Sequence, residues 1–352
     1  MSRFFSGKFD ALTPYTPGEQ PKGQTFIKLN TNESPFPPAP LAQQYAKKEA
    51  EKLQLYSDPQ CRDLVAAAAE KLRVAEDEII FTNGSDEVLN FAFMAFCDAA
   101  HPVVFPDITY GFYPVFAQLN GIPYTEIPLQ EDFTIRVEDY LGLNQTIVIA
   151  NPNAPTGICL PLSDIERIVE SNPDSVVIID EAYIDFGGES AMALIPKYDN
   201  LLVVQTFSKS RSMAGARLGF AIGNEKLIAD LNTIRYSTNP YNVNRMTEFA
   251  GVAALEENDY YLQNAKTIMA NRAWTVSELQ KLGFTVLDSK ANFVFAKSDK
   301  IDGEKLYKEL KARGVLVRHF TKARIAPYVR ITIGTLQQME TLIEKIKEIL
   351  GA

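Results

Sequence analysis

Lys209 stands in Thr206-Phe-Ser-Lys-Ser210, directly behind the apolar run Leu201-Leu-Val-Val-Gln205, and Arg217 follows eight residues later. The run reads as a buried strand. A lysine amine held just past a strand end can condense with an aldehyde to give an imine. An arginine nearby, helped by hydroxyls such as Thr206 and Ser208, can hold a phosphate. Pyridoxal 5'-phosphate carries both groups. The bland alternative is an exposed strand-to-loop connection with ordinary surface cations, so the stretch needs company to mean chemistry.

Other polar groups supply that company, because ligands of an open α/β sheet sit outside the carboxyl ends of its strands. Asp180 closes Val176-Val-Ile-Ile179, where a carboxylate can bond to a protonated ring nitrogen and keep the ring an electron sink. Tyr183, three residues on, can reach a ring hydroxyl; a helix-capping or turn aspartate is the alternative for Asp180. Gly84-Ser85-Asp86 follows the strand Ile79 to Thr82 and opens a helix, whose free N–H groups attract phosphate. Ser85 is also a plain N-cap candidate. Tyr110 can stack on a planar ring, although an aromatic there is commonly core. Asn151-Pro-Asn-Ala-Pro-Thr-Gly157 must turn sharply after the strand Thr146 to Ala150, leaving Asn151 or Asn153 to face the site. Arg318, His319, Lys322, Arg324 and Arg330 form a basic cluster. Arg318 and Arg330 border apolar β runs and suit bidentate capture of carboxylate or phosphate, whereas Lys322 and Arg324 read as solvated strand-edge cations.

The elements that must position these groups alternate. Residues 1–42 are rich in proline and glycine and predict an extended arm. Helices over 43–55, 61–72, 86–97, 110–120 and 163–171 alternate with apolar runs at 79–81, 103–105, 146–150, 176–180 and 201–205. This βα succession implies a mainly parallel sheet covered on both faces. Helical patterns at 246–256 and 260–282 lead into β runs at 284–287, 293–296, 315–317 and 329–333, closed by a helix over 337–350. The expected organisation is the arm at 1–42, a large domain at 43–250 and a smaller α+β domain at 251–352, consistent with a chain too long for one core.

Composition narrows the partners. A net charge of -9 argues against nucleic acid, which needs a basic face, but not against a small anion held at a local positive site. Three scattered cysteines suit a reducing compartment, and two histidines make a histidine-based metal site improbable. Without a long apolar run the chain is expected to be cytoplasmic and free of the membrane.

Taken together, Asn151-Pro-Asn-Ala-Pro-Thr-Gly157, Asp180-Glu-Ala-Tyr183, Thr206-Phe-Ser-Lys209 with Arg217, and Tyr328-Val-Arg330-Ile-Thr-Ile-Gly334 resemble the fold type I, pyridoxal-phosphate-dependent aminotransferases. Leu12-Thr-Pro-Tyr15, Leu29-Asn-Thr-Asn-Glu33, Leu55-Tyr-Ser-Asp-Pro59 and Val317-Arg-His-Phe320 are similar, more narrowly, to the histidinol-phosphate aminotransferases. The resemblance implies an α/β large domain with a mainly parallel seven-stranded sheet between helices. It implies that Lys209 bonds the cofactor aldehyde and then moves the substrate proton, that Asp180 pairs with the ring nitrogen, and that Tyr183 bonds the ring oxygen. Tyr110 would stack on the ring. Gly84, Ser85, Asp86 (through its backbone), Thr206, Ser208 and Arg217 would form the phosphate pocket, and Tyr56 would reach the phosphate of a partner subunit's cofactor in a homodimer. Tyr15, Asn32, Arg318 and Arg330 would meet the substrate. The implied reaction is reversible amino transfer between L-histidinol phosphate and 2-oxoglutarate. An aromatic amino-acid aminotransferase, a phospho-amino-acid decarboxylase and a non-catalytic cofactor-binding protein are the alternatives.

One departure stands out from that pattern. The family usually has asparagine before Pro-Thr-Gly, contacting the ring hydroxyl, and here the residue is Ala154. The lost contact is expected to move to Asn153, with Asn151 or Tyr183 as the other options.

Overall fold

A computed structural model describes residues 2–21, 23 and 25–351. In chain order the strands are β1 (Ile27–Lys28), β2 (Ile79–Thr82), β3 (Val103–Pro106), β4 (Tyr124–Ile127), β5 (Thr146–Ala150), β6 (Val177–Asp180), β7 (Leu201–Thr206), β8 (Gly219–Gly223), β9 (Phe284–Val286), β10 (Phe293–Ser298), β11 (Val315–Leu316), β12 (Arg318–His319) and β13 (Tyr328–Thr332). The helices are α1 (Pro40–Ala50), α2 (Arg62–Leu72), α3 (Ser85–Phe96), α4 (Tyr113–Asn120), α5 (Leu162–Ser171), α6 (Glu225–Thr238), α7 (Arg245–Glu256), α8 (Asn258–Lys281), α9 (Gly303–Ala312) and α10 (Leu336–Leu350).

The continuous apolar runs build a seven-stranded sheet in the order β2-β8-β7-β6-β5-β3-β4. It is parallel except for β8, which runs antiparallel to both β2 and β7. Strands β5 and β6 and the first four residues of β7 are buried on both faces, as helix-covered parallel strands must be. Each fully buried Val, Leu or Ile contributes roughly 1.5–3 kcal/mol. The sheet is therefore a stiff floor, and its register brings the site together. Ala150 lies opposite Asp180, Asp180 opposite Val204, and Gly219 opposite both Thr206 and Thr82.

The later β runs form a four-stranded antiparallel sheet, β12-β13-β10-β9, backed by α9 and α10. The arm is held beside it in a separate two-stranded sheet, where β1 pairs in parallel with β11. Helix α8 links the two cores: Tyr261 packs under the seven-stranded sheet, whereas Ala265, Ile268 and Leu279 pack under the four-stranded one.

Six elements were absent from the sequence expectation: strands β1, β4, β8 and β12 and helices α6 and α9. Strand β8 is five residues bounded by glycines, and β4 is an edge strand with Tyr124, Thr125 and Glu126 exposed, so neither makes a long apolar run. Helices α6 and α9 are mostly polar, each burying only a few residues. The reading of Lys322 and Arg324 is corrected in part. Lys322 Nζ donates to the Asp107 carbonyl at 2.6 Å, and Arg324 donates to the carbonyls of Leu129 and Gln130, its guanidinium 4.8 Å from the Phe133 ring centre. They tie the β12–β13 loop to the β3–β4 region, Lys322 while still exposed to solvent as expected and Arg324 half-buried. No helix of the described residues is long and apolar enough to cross a membrane.

Candidate active site

The loop after β7 is closed by its own apolar anchors. Phe207, Met213 and Leu218 are buried, Phe207 N–H donates to the Leu218 carbonyl, and Met213 N–H donates to the Phe207 carbonyl. Ser208 N–H donates to Thr206 Oγ1 at 3.1 Å, a hydroxyl turn that points the next residue away from the strand. Lys209 is that residue. Its Nζ donates to the Thr31 carbonyl at 3.2 Å and lies 5.8 Å from the Tyr183 ring centre. Burial, with Arg330 second, pulls its pKa down to about 8, which leaves a useful neutral fraction near neutral pH.

A cavity of about 190 Å³ opens beside Lys209, lined by Ser85, Asp86, Tyr110, Asp180, Tyr183, Thr206, Ser208 and Arg217, with Thr31 and Glu33 at its rim. At one end α3 begins. Gly84 sits at φ 86°, where an L side chain is strained, and a Cβ there would stand 2.5 Å from Arg217 Nη2. A Cβ on Gly219 would collide with the backbone of Gly84 and Ser85. Both glycines therefore let the helix start, the arginine and β8 crowd together. Arg217 is itself left-handed at φ 59°, the kind of cost that accumulates at functional sites. Its Nη2 donates to Asp86 Oδ2 at 2.9 Å, and Tyr110 donates to Asp86 Oδ1 at 2.7 Å. Asp86 thus engages the cavity through its carboxylate, where only its backbone N–H was expected to take part.

At the other end Asp180 is 5% exposed. Burial pushes its carboxyl up to about 6, and the bond from Tyr113, whose hydroxyl donates to Oδ2 at 2.8 Å, pulls the other way. Tyr113 is absent from the expected site set. In sequence it is one aromatic in the apolar stretch of α4, and its partner lies 67 residues away. Tyr183 accepts from Asn32 Nδ2 at 2.9 Å, so its own hydroxyl hydrogen is free to donate. Asn32 is buried at φ 56°, and its Oδ1 accepts from Thr332 at 3.1 Å.

The expectation for Asn153 is overturned. Its Nδ2 donates to the Ile108 carbonyl and Thr156 Oγ1, and its Oδ1 accepts from Thr109, which uses the whole amide. Asn151 is similarly tied to the backbone of Leu160. At that turn the cavity wall is Ala150, Pro152 and Ala154. Tyr183 is the remaining one of the three options.

A cleft of about 520 Å³ adjoins the cavity, sharing Tyr110, Tyr183 and Lys209 with it, and is lined by Tyr15, Asn30, Asn32, Arg318 and Arg330. Tyr15 stacks on Phe112 with centroids 4.2 Å apart, and burial raises its hydroxyl pKa. Arg318 and Arg330 are direct cross-strand partners on β12 and β13. Like charges in that position repel unless an anion lies between them. Arg318 donates to the carbonyls of Thr16 and Pro17, and Arg330 Nη2 to that of Asn30, while Arg330 Nε, Asn30 Oδ1 and Thr31 Oγ1 have no hydrogen-bond partner among the described residues. Tyr56 lies elsewhere. It is 79% exposed and stacked on Tyr241, lining neither hollow of its own chain.

These side chains suit pyridoxal phosphate. An amine, a carboxylate and an arginine-and-hydroxyl pocket at a glycine-cleared helix start surround one cavity with room for a planar ring. The family model for class I and II aminotransferases matches residues 24–346. The chain belongs to the class I and II aminotransferase family. Among relatives of this aminotransferase, the histidinol-phosphate aminotransferase of Brachyspira hyodysenteriae is 49% identical, with 99% of each chain covered. That of Clostridium acetobutylicum is 47% identical over the full length of both. The crystal structure of histidinol-phosphate aminotransferase from Sinorhizobium meliloti in complex with pyridoxal 5'-phosphate superimposes with a TM-score of 0.91 at 24% identity, covering 100% of this chain and 98% of that one. That likeness shows that the two chains share a fold, the fold type I arrangement of the aminotransferases.

Proposed function

We propose that the protein is a histidinol-phosphate aminotransferase that uses pyridoxal 5'-phosphate to transfer an amino group between L-histidinol phosphate and 2-oxoglutarate. The observation that carries this reading is the Arg318–Arg330 pair opening onto the same hollow as Lys209. One site must hold a phosphate in one half of the cycle and a carboxylate in the other, and two guanidinium groups side by side accept either.

Pyridoxal phosphate, when bound, supplies the electron sink that makes the hydrogen on the amine-bearing carbon acidic. The chain's residues do the rest. Arg217, Ser208, Thr206 and the first N–H groups of α3 would hold the phosphate. Asp180 would keep a proton on the ring nitrogen, Tyr183 would donate to the ring oxygen, and the Tyr110 ring would limit the ring's tilt. Lys209 Nζ accepts the substrate proton and returns it. Arg318, Arg330 and Tyr15 orient the substrate's anionic end, and Asn32 holds Tyr183 in place.

The test is glutamate formation from histidinol phosphate and 2-oxoglutarate, run beside phenylalanine and tyrosine as donors and carbon dioxide release from threonine phosphate. Histidinol phosphate should be the preferred donor by kcat/KM, and Lys209→Ala should lower kcat on the order of 10⁴-fold or more. Preference for an aromatic donor, or release of carbon dioxide, would sink the assignment.

We further propose a cytoplasmic homodimer in which Tyr56 reaches the partner's cofactor. In support, Leu53, Leu55 and Tyr56 are all more than half exposed on one loop, and Arg245 fixes that loop through the Tyr56 carbonyl at 3.1 Å. An exposed apolar run held this firmly fits an interface. Tyr56→Phe should weaken cofactor retention without changing the sedimenting mass, and a monomeric wild type would refute the arrangement.

A further inference from the structure

Tyr113 touches the group on which the ring chemistry depends. It is 0% exposed on the first turn of α4, and its hydroxyl donates to Asp180 Oδ2 at 2.8 Å. The other oxygen of Asp180 takes only a longer bond, 3.3 Å from Ala182 N. The same phenol ring meets Tyr110 edge-on, with centroids 5.7 Å apart at 83°. Tyr110 in turn donates to Asp86, which also receives Arg217. One buried side chain therefore stands behind both ends of the cavity.

A buried tyrosine in an apolar helix is ordinarily core, its hydroxyl paired with whatever acceptor is near. Here the acceptor is a buried carboxylate. An uncompensated buried charge costs several kcal/mol and a carboxyl group normally escapes by taking a proton. An O–H donor to the ionised form opposes that escape, and charge-assisted bonds of this type are about twice as strong as neutral ones. We propose that Tyr113 is a positioning residue that keeps the Asp180 carboxylate ionised and aimed into the cavity, and holds Tyr110 square to the same space. The inference rests on the pyridoxal phosphate reading above for what Asp180 is aimed at.

The charged and titratable groups facing Asp180 are Tyr113 from α4, Asp86 from α3, Lys209 from the loop after β7, and Tyr183. Tyr113 and Lys209 favour its ionised form; Asp86 opposes it. Removing the Tyr113 donor therefore moves the Asp180 titration up, toward the working pH.

A pair of variants at one position tests this. Tyr113→Phe deletes the donor and keeps the ring, whereas 3-fluorotyrosine at 113 is a more acidic phenol, hence a stronger donor of nearly the same volume. In the apoprotein labelled with ¹³C-aspartate, the Asp180 carboxyl signal, identified by its loss in Asp180→Asn, should titrate higher than wild type in Tyr113→Phe and lower with fluorotyrosine. In the loaded protein, Tyr113→Phe should weaken pyridoxal phosphate binding roughly 10- to 100-fold, the span of a hydrogen bond to a charged group. It should lower kcat while leaving KM for the amine donor unchanged. If both variants leave the Asp180 midpoint where it is and only the melting temperature falls, Tyr113 is core and nothing more. Should Tyr113→Phe fail to fold, the fluorotyrosine shift alone decides. A wild type that takes up no pyridoxal phosphate would overturn the functional reading, while the apoprotein titration would still judge Tyr113.

Discussion

The two hollows that meet at Lys209 are finished differently. In the cavity over the seven-stranded sheet the ionised groups are already paired: Asp180 with Tyr113, and Asp86 with Arg217 and Tyr110. In the cleft against the four-stranded sheet two arginines face each other across β12 and β13, and Arg330 Nε, Asn30 Oδ1 and Thr31 Oγ1 remain unpaired. A pre-paired site suits a ligand that stays, because its groups need no rearrangement to receive it. A site with an unpaired donor such as Arg330 Nε suits anions that come and go, because each arrival satisfies a group the protein leaves wanting. On the proposed assignment, the contrast would separate a resident cofactor from two alternating substrates.

The largest effect expected from disturbing this contrast comes from Arg330→Ala. Truncating one member of a desolvated charge contact costs about 2–5 kcal/mol, so KM should rise at least tenfold for both the phosphorylated donor and the oxo acid. A rise for one substrate alone would mean that the cleft divides its labour, with Arg318 serving the other. The same variant probes how the hollows are coupled. Burial is the main reason the Lys209 pKa is depressed to about 8, and Arg330 is the next. With Arg330 gone the midpoint should move upward, so the alkaline pH at which Lys209 becomes reactive toward an aldehyde probe rises. An unmoved midpoint would make the two hollows electrostatically independent.

Asn153→Ala should do less and do it elsewhere. Its amide is spent on Ile108, Thr156 and Thr109, so the loss is structural, about 1–3 kcal/mol of stability from groups left unpaired. Denaturant melts should record it, while the absorption titration of the bound cofactor stays in place. A shifted titration would return Asn153 to the site.

Much of this was legible in the sequence, for identifiable reasons. Strands β5, β6 and the first four residues of β7 are mainly apolar and buried on both faces, so their ends, and with them Asp180 and Lys209, could be placed before any coordinates. Gly84 and Arg217 were legible only in company, since alone a glycine at a strand-to-helix turn reads as part of a plain N-cap and a cation in a hydroxyl-rich loop as an ordinary surface charge. Strand β8 was not, since a five-residue run between glycines reads as loop until β2 and β7 flank it. Tyr113 was hidden for the opposite reason: it looks like its apolar neighbours, and only the three-dimensional pairing with Asp180 tells it apart. Asn153 misled because local spacing offers both asparagines of the turn to the cavity, and which way an amide points is decided by partners such as Ile108 and Thr109 from another loop.

The facing arginines of β12 and β13 carry a consequence for anyone handling the purified protein. Their mutual repulsion is a debt that any small oxyanion settles, and whatever binds the folded chain alone adds to its stability by mass action. If Arg318 and Arg330 seat the substrate as proposed, phosphate or sulfate in a buffer would be a competitor and a stabiliser at once, so a formulation chosen to preserve the enzyme would also inhibit it.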